Sequence, residues 1–339
     1  MGDSFDNLLE QISSGQDLAE QQMRAAMNRV MTGGCSSEQI RRFLTKLAEK
    51  GETTAELAGA AAAMRANMTP ISSRHEKLLD TCGTGGGGST LFNVSTTAAL
   101  VIAAAGVPVA KHGNRSVTSK SGSADVLAGL GVNIEATVSQ VERCLNELGI
   151  CFCFAPLMHP AMKHVAAVRR ELGIRTIFNL LGPLANPAGA AFQLLGVGRS
   201  ETRPLIASAL QLLGTERAYV VSGADGLGEI TLTGTTHVTE VTPAGLKEFN
   251  WEPEDFGVSR AALDSLSISS PQESVAIVRR VLGGEHGPAR DIVLLNAAAG
   301  LLVAGRCDEP RQAAELAAEA IDSGAVAKLL EELARVSYA

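Results

Sequence analysis

DTCGTGGGGSTLFNVST, residues 80–96, is the stretch whose reading decides the fold. Leu78, Leu79 and Cys82 close a short apolar run, and five glycines follow within six residues: Gly83, Gly85, Gly86, Gly87 and Gly88. Asn93, Val94, Ser95 and Thr96 then open an apolar segment, and a helix is expected over 97–105. Strand, glycine loop and helix N-terminus together make an arrangement that binds phosphate. Glycine backbone reaches φ > 0 and lets a ligand come close. Successive N–H groups, with the positive end of a helix dipole behind them, receive an anion. Glycine richness by itself fits a tight turn feeding a helix equally well. No lysine follows the run, so it is not a Walker A loop, and the acidic residue that a dinucleotide fold needs about 20 residues on is missing.

A second loop of the same kind tips the balance. Residues 107–110 (VPVA) read as the next strand, and KHGNRSVTSKSGS follows over 111–123. It carries Lys111, Arg115 and Lys120 with hydroxyls at Ser116, Thr118, Ser119, Ser121 and Ser123. Ser123 is the expected cap of a helix over 124–130. A cationic, hydroxyl-rich loop without aromatics suits phosphate oxygens, the alternative being a solvated polar loop. Two anion loops on successive strands imply a ligand with two phosphate groups, such as a phosphorylated sugar diphosphate.

The chain has 339 residues, enough for roughly two domains of about 150 residues each. With 19% charged residues and a net charge of −7, the whole protein is not a polyanion binder, and its basic residues gather instead in the second loop. That pattern points to local anion recognition and away from a nucleic-acid face. Six cysteines lack metal-ligand clustering; Cys151 and Cys153 in one apolar strand point to one side and read as packing. Reduced thiols fit a cytoplasmic protein. The first residues, MGDSFDNLLEQ, have neither a basic nor an apolar region of a signal peptide. The alanine- and valine-rich segments are too short for a membrane span.

Up to about residue 68 the chain reads as helices, with apolar Leu18, Met23, Ala26, Met27 and Val30 at helical spacing and Ser36 or Ser37 opening the next helix. A methionine stripe (Met23, Met27, Met31) there reads as core or subunit interface. From Glu76 onward strands alternate with helices. Strands are expected at 78–82, 107–111, 150–154, 192–197, 218–222, 237–241 and 291–295, and helices at 138–148, 203–213, 273–282 and 312–324. The fold class is therefore α/β, a largely parallel sheet flanked by helices. Ligand loops then belong at the strand C-termini, where both glycine loops fall.

Two more segments carry chemistry. Arg169 and Arg170 stand side by side, and either suits bidentate binding of a carboxylate or plain solvation on a helix. DGLGE, residues 225–229, places Asp225 and Glu229 on a loop after a buried strand. Carboxylates there suit Mg²⁺, which takes hard oxygen ligands, keeps waters and bridges phosphates; an acidic turn is the alternative.

Taken together, DTCGTGG, FNVST, KHGNRSVTSKSG, HPAMKHVAAVRRELGIRTIFNLLGPLANPAG and DGLGEITLTG resemble the anthranilate phosphoribosyltransferases of tryptophan biosynthesis. The resemblance runs from about Leu18 to the last helix. It implies a smaller all-helical N-terminal domain of residues 1–70, joined by about 158–187, and an α/β domain of residues 75–157 and 188–339. It implies transfer of 5-phosphoribose from phosphoribosyl pyrophosphate to the amine of anthranilate, with Mg²⁺ as cofactor. It also implies a homodimer through the N-terminal helices and no nucleic-acid or membrane partner.

The resemblance likewise assigns residues. Gly83, Gly86, Gly87, Asn93, Val94, Ser95 and Thr96 match the first substrate loop. Lys111, His112, Gly113, Asn114, Arg115, Ser116, Val117, Thr118, Ser119 and Ser123 match the second. His159, Arg169 and Pro183 join His112 and Asn114 along the aromatic-acid channel, with Arg169 on the carboxylate. Ser95 and Glu229 match metal contacts, and no catalytic acid or base is assigned. The family patterns GTGGD and DGLDE are broken here by Gly87 and Gly228, and Leu91 replaces an expected threonine. Phosphate and carboxylate recognition is complete, whereas the metal shell is depleted, with Asp225 as a possible substitute. Two rivals stand: a nucleoside phosphorylase of the same architecture, disfavoured by NLLGPLANP and HPAMKHV, and a non-catalytic nucleic-acid-binding relative, disfavoured by the net charge.

Overall fold

The computed structural model describes residues 4–85, 90–116 and 120–339. Gly86, Gly87, Gly88, Val117, Thr118 and Ser119 lie outside the described residues, so the expectations for them are not met with any geometry. The chain opens with helices α1 (Phe5–Ser13), α2 (Glu20–Met31), α3 (Ser37–Lys50) and α4 (Thr54–Ala66). Ser36 and Thr53 cap α3 and α4, accepting the N–H groups of Gln39 and Glu56, whose side chains reach back to the cap backbone. Such reciprocal caps satisfy two orphan donors at once.

Met23, Met27 and Met31 are at most 2% exposed, inside a core shared by α1–α4. The methionine stripe is therefore spent within the chain, and the large exposed apolar residues, such as Leu157, Ile174 and Leu212, lie outside α1–α4. This removes the residue-level argument for a dimer face on these helices.

A seven-stranded sheet follows: β1 (Leu79–Gly83), β2 (Val109–Gly113), β3 (Ile150–Phe154), β4 (Phe192–Gly196), β5 (Arg217–Gly223), β6 (Thr236–Thr242) and β7 (Gly245–Trp251). Its order is β3-β2-β1-β4-β5-β6-β7. All pairings from β3 to β5 are parallel, while β6 and β7 form an antiparallel edge. β1 thus lies between β2 and β4, where the winding reverses. Loops leaving the C-terminal ends of β1 and β2 emerge side by side at such a point.

Alternation along the strands divides the core. Leu194 and Val221 pack with α5 (Val94–Ala104) and α13 (Pro288–Val303). Leu195 and Val220 instead pack with α2, α4 and α11 (Arg203–Leu212). Period-two side-chain direction is the reason: neighbouring residues face opposite sides of the sheet. Val165, Val168, Ile177, Phe178, Leu181 and Leu184 join the second cluster, against the N-terminal helices. Arg65 of α4 donates to the Leu184 carbonyl at 2.7 Å across that junction. Cys151 and Cys153 are buried with sulfurs 3.8 Å apart, the one-sided packing that their spacing predicts.

Three local expectations change. Residues 291–295 are not a strand but the second turn of α13, whose middle is buried on all sides. A short all-apolar run carries no periodicity that separates strand from helix, and only the alanines continuing to Val303 arbitrate. β7 was not anticipated, because GLKEFNW buries little beyond Trp251 and lacks a clear alternation. Gly122, not Ser123, caps α6 (Ser123–Gly129); Ser123 occupies its first turn and donates to the Asn114 carbonyl. Among the described residues no helix is long and apolar enough to cross a membrane.

Candidate functional site

Lys111 and His112 occupy successive positions at the end of β2 and are both buried. Alternation sends their side chains apart. Lys111 Nζ lies over β1, donating to the Thr81 carbonyl at 2.6 Å and to Thr81 Oγ1 at 3.3 Å. Burial lowers its pKa, and the neighbouring charge of Asp80 is the main influence holding the proton. The His112 N–H donates to Asp80 Oδ1 at 3.1 Å, tying the two strand ends together.

The His112 ring points the other way, toward residues brought in by the 158–187 segment. Its Nδ1 lies 3.1 Å from the Gly182 carbonyl and its Nε2 3.1 Å from His159 Nε2. A carbonyl only accepts, so His112 carries its proton on Nδ1 and accepts from His159 at Nε2. Burial pushes His112 down to about 3 and His159 down to about 4, so both rings are neutral at pH 7. His159 Nδ1 is left buried without a hydrogen-bond partner.

Pro183 sits in the turn after Gly182, its carbonyl accepting from Gln193 Nε2 at 2.7 Å. Asn186 Nδ2 donates to the Ala110 carbonyl at 2.7 Å, fixing the same segment to β2. Arg169 of α9 (Ala166–Leu172) is half-buried, with its guanidinium 5.2 Å from the Phe178 ring centre and no ion pair among the described residues. Arg170 is exposed. The helix therefore keeps Arg169 against the protein and turns Arg170 to solvent.

The cationic loop is closed by a residue not singled out from the sequence. Asp125 accepts the N–H groups of Ser116 and Gly122, each at 3.0 Å, and pairs with Arg115 at 3.3 Å. Arg115 also lies 5.9 Å from the Phe154 ring centre, so it is engaged by protein on two sides. Asn114 Oδ1 accepts from the Arg115 N–H, and Gly113 is half-buried beneath Ser123. Asp125 at the third position of α6 supplies only the acid half of a capping box, because Gly122 has no side chain to return the bond.

On the glycine-loop side, Gly83 ends β1 and Gly85 takes φ +63, the left-handed backbone expected there. Asn93 is committed to capping α5 through its Oδ1, which accepts the Thr96 N–H at 3.1 Å. Val94 is buried, and Thr96 is buried with its hydroxyl unpartnered. Ser95 accepts from Thr81 Oγ1 through its carbonyl, and its amide lies near the Glu229 carboxylate and favours the charge there. Desolvation nonetheless pushes Glu229 up to about 7, with Lys111 and the Ser95 amide pulling the other way.

Ser95 and Glu229 thus come together, as the sequence suggests. Asp225, the candidate substitute for the missing aspartate, is engaged within its own loop. Its Oδ1 accepts from Leu227, and its Oδ2 accepts from Thr231 and Thr233 at 2.6 and 2.7 Å, so it is consumed in closing its own loop. Gly228 is pressed against Gly196: a Cβ on Gly196 would meet the Gly228 carbonyl at 1.8 Å. Among the described residues no three acids, histidines or cysteines cluster for a metal. The Glu229 carboxylate, buried and short of positive charge, fits a hard cation that keeps waters and shares ligand oxygens. Asp80, Thr81, Asp125, Asn186 and Gln193 are the polar residues of this region that motif reading passed over.

Comparison with known proteins accords with this geometry. A family model for the α/β domain of a glycosyl transferase family matches residues 75–327, and its helical-bundle counterpart matches residues 6–68. An anthranilate phosphoribosyltransferase of Trichlorobacter lovleyi is 51% identical over 335 residues, covering 95% of this chain and 96% of that one. The enzyme of Rhodopirellula baltica is 48% identical, covering 98% and 97%. The crystal structure of the Thermus thermophilus enzyme superposes with a TM-score of 0.92 at 43% identity, covering 98% of this chain and 99% of that one. The Saccharomyces cerevisiae enzyme in complex with phosphoribosyl pyrophosphate and Mg superposes with a TM-score of 0.91 at 28% identity, covering 98% of each chain. With relatives this similar along nearly its whole length, and with a matching fold, the chain belongs to the anthranilate phosphoribosyltransferases.

Proposed function

We propose that this chain transfers 5-phosphoribose from phosphoribosyl pyrophosphate to the amine of anthranilate, giving N-(5-phosphoribosyl)anthranilate and pyrophosphate in tryptophan biosynthesis. The observation that carries the reading is the divergence at the end of β2. Lys111 supplies a buried cation on the glycine-loop side, while His112, one residue on, joins His159 and the Gly182–Pro183 turn on the other. One strand end thereby serves an anionic donor and an aromatic acceptor.

As pyrophosphate leaves, C1 of the ribose gains oxocarbenium character and negative charge grows on the departing oxygens. Lys111 and the loop amides stabilise that charge, and positioning supplies much of the remainder. The aniline nitrogen is already neutral at pH 7, so attack needs no strong base. Neutral His112 and His159 are suited to line a channel for an aromatic acid without adding charge. Arg169, unpaired and half-buried, holds the carboxylate. Mg²⁺, held by Ser95 and Glu229 with substrate oxygens and water, supplies positive charge to the leaving pyrophosphate.

The domain reading accompanies this one: a helical unit of residues 1–70 joined by 158–187, with the cleft between it and the α/β unit. A cytoplasmic location is supported by six cysteines that are all free. Homodimerisation through the N-terminal helices rests on family resemblance alone, and a monomer mass by light scattering at micromolar concentration removes it. The activity itself is tested by anthranilate fluorescence. Its decay should require both phosphoribosyl pyrophosphate and Mg²⁺; fluorescence that persists with both present rejects the assignment.

A further inference from the structure

Asp80 stands at the centre of the site, yet the reaction as set out gives it no part. Its side chain is fully buried. One oxygen accepts the His112 N–H at 3.1 Å, while the other is buried with no hydrogen bond of sound geometry, near the polar groups of Cys82 and Asn186. A carboxylate left so in an apolar interior is costly unless a charge compensates it. Burial raises the Asp80 pKa and lowers that of Lys111, and the charge of each is the largest influence opposing the other's shift.

The two do not form an ion pair. Lys111 Nζ gives two hydrogen bonds to Thr81, a neutral partner, and an ammonium has three donors. A direct contact with Asp80 would occupy the ammonium, whereas a counter-charge held further off keeps it charged and available. Phosphate oxygens compete well against a neutral carbonyl, since charge-assisted hydrogen bonds are about twice as strong as neutral ones.

We propose that Asp80 is a positioning residue for the transfer reaction, acting on both substrates from one buried carboxylate. Through one oxygen it fixes the backbone of His112 on the aromatic-acid side. Through its charge, held out of contact, it keeps Lys111 an ammonium free to turn to the pyrophosphate. The inference rests on the function proposed above. The other charged or titratable groups around Lys111 are Cys82 on β1 and Glu229 on the loop after β5, with neutral His112 beside it.

Asp80→Asn keeps an oxygen for His112 but removes the charge, and Asp80→Ala removes both. In Asp80→Asn, kcat/KM for phosphoribosyl pyrophosphate should fall about tenfold or more, the alkaline limb of that parameter should move to lower pH, and KM for anthranilate should stay within about twofold. Asp80→Ala should raise KM for both substrates. In a Lys111→Arg background, where the cation cannot lose its proton, Asp80→Asn should cost clearly less. A folded Asp80→Asn variant with parental KM values and pH profile overturns the proposal. If the variant does not fold, the carboxyl carbon resonance of Asp80 in the parent decides: ionised at pH 7 supports the proposal, and protonated at pH 7 overturns it. Parental protein inactive with both substrates defeats the functional reading instead, which the first assay shows separately.

Discussion

The end of β2 and the loop of residues 225–229 were the two parts of the site richest in charge, and they fold by opposite rules. At β2 the contacts cross between strands: Lys111 Nζ donates to the Thr81 carbonyl and Oγ1, and the His112 N–H donates to the Asp80 carboxylate, so one ammonium donor of Lys111 is left for a ligand. In the acidic loop the contacts are local: the Gly223 N–H at the end of β5 donates to the Leu227 carbonyl, and the Asp225 carboxylate accepts from Leu227, Thr231 and Thr233. A cation that reaches across strands keeps donor capacity for a ligand, whereas a carboxylate that braces its own loop spends its acceptors within it.

The largest effect should come from Lys111→Ala. Removing a buried cation from the leaving-group side should lower kcat/KM for phosphoribosyl pyrophosphate by about 3 kcal/mol, with anthranilate affected less. Equal loss for both substrates, by steady-state kinetics, would point to misfolding. Arg169→Ala should cost about 1.5–3 kcal/mol in kcat/KM for anthranilate, while Arg170→Ala should do little. Unchanged anthranilate kinetics in the Arg169 variant would take that residue out of the site.

The neutral histidine pair gives a pH signature. His112 at about 3 and His159 at about 4 lie below the ordinary 6.5, so the folded state disfavours their protonation. Their contribution is complete above pH 6.5 and is lost as pH falls toward 4, at up to about 1.4 kcal/mol per pH unit for each ring. Thermal melts between pH 7 and pH 5 should show it, and His159→Gln should flatten the slope. Parallel melts for parent and variant would mean that His159 is not held neutral.

Smaller effects belong to the acidic loop. Asp225→Ala should lower stability by about 1–2 kcal/mol through lost loop hydrogen bonds, leaving the Mg²⁺ concentration for half-maximal rate unchanged. A shifted Mg²⁺ requirement in that variant would restore Asp225 as a ligand. Gly228 is not at positive φ, so an aspartate there is not excluded by backbone conformation. Its Cβ would lie 3.0 Å from the Gly198 nitrogen and 3.2 Å from the Val197 carbonyl carbon, however, so Gly228→Asp should cost about 1 kcal/mol while lowering the Mg²⁺ requirement. The same Mg²⁺ dependence as the parent would show that the metal shell is not depleted at that position.

The sequence by itself determined the layered α/β fold and the adjacent strands that lead into the two loops, because these depend on local patterns. Strand 150–154 and helix 138–148 have the bounds their periodicity predicts, and KHGN follows its strand directly. Tertiary structure decided what pairwise geometry decides. It buried Arg169 against Phe178 and left Arg170 exposed, engaged Asp225 within its own loop, and turned residues 291–295 into helix. It also set Asp80 beneath Lys111 and His112. No spacing along the chain reports these outcomes, because each depends on which groups the fold brings together: Asp225 meets Thr231 and Thr233 six and eight residues on, and Asp80 meets His112 32 residues away. Composition and periodicity describe a chain's own neighbours, whereas burial and charge belong to the neighbours that folding supplies.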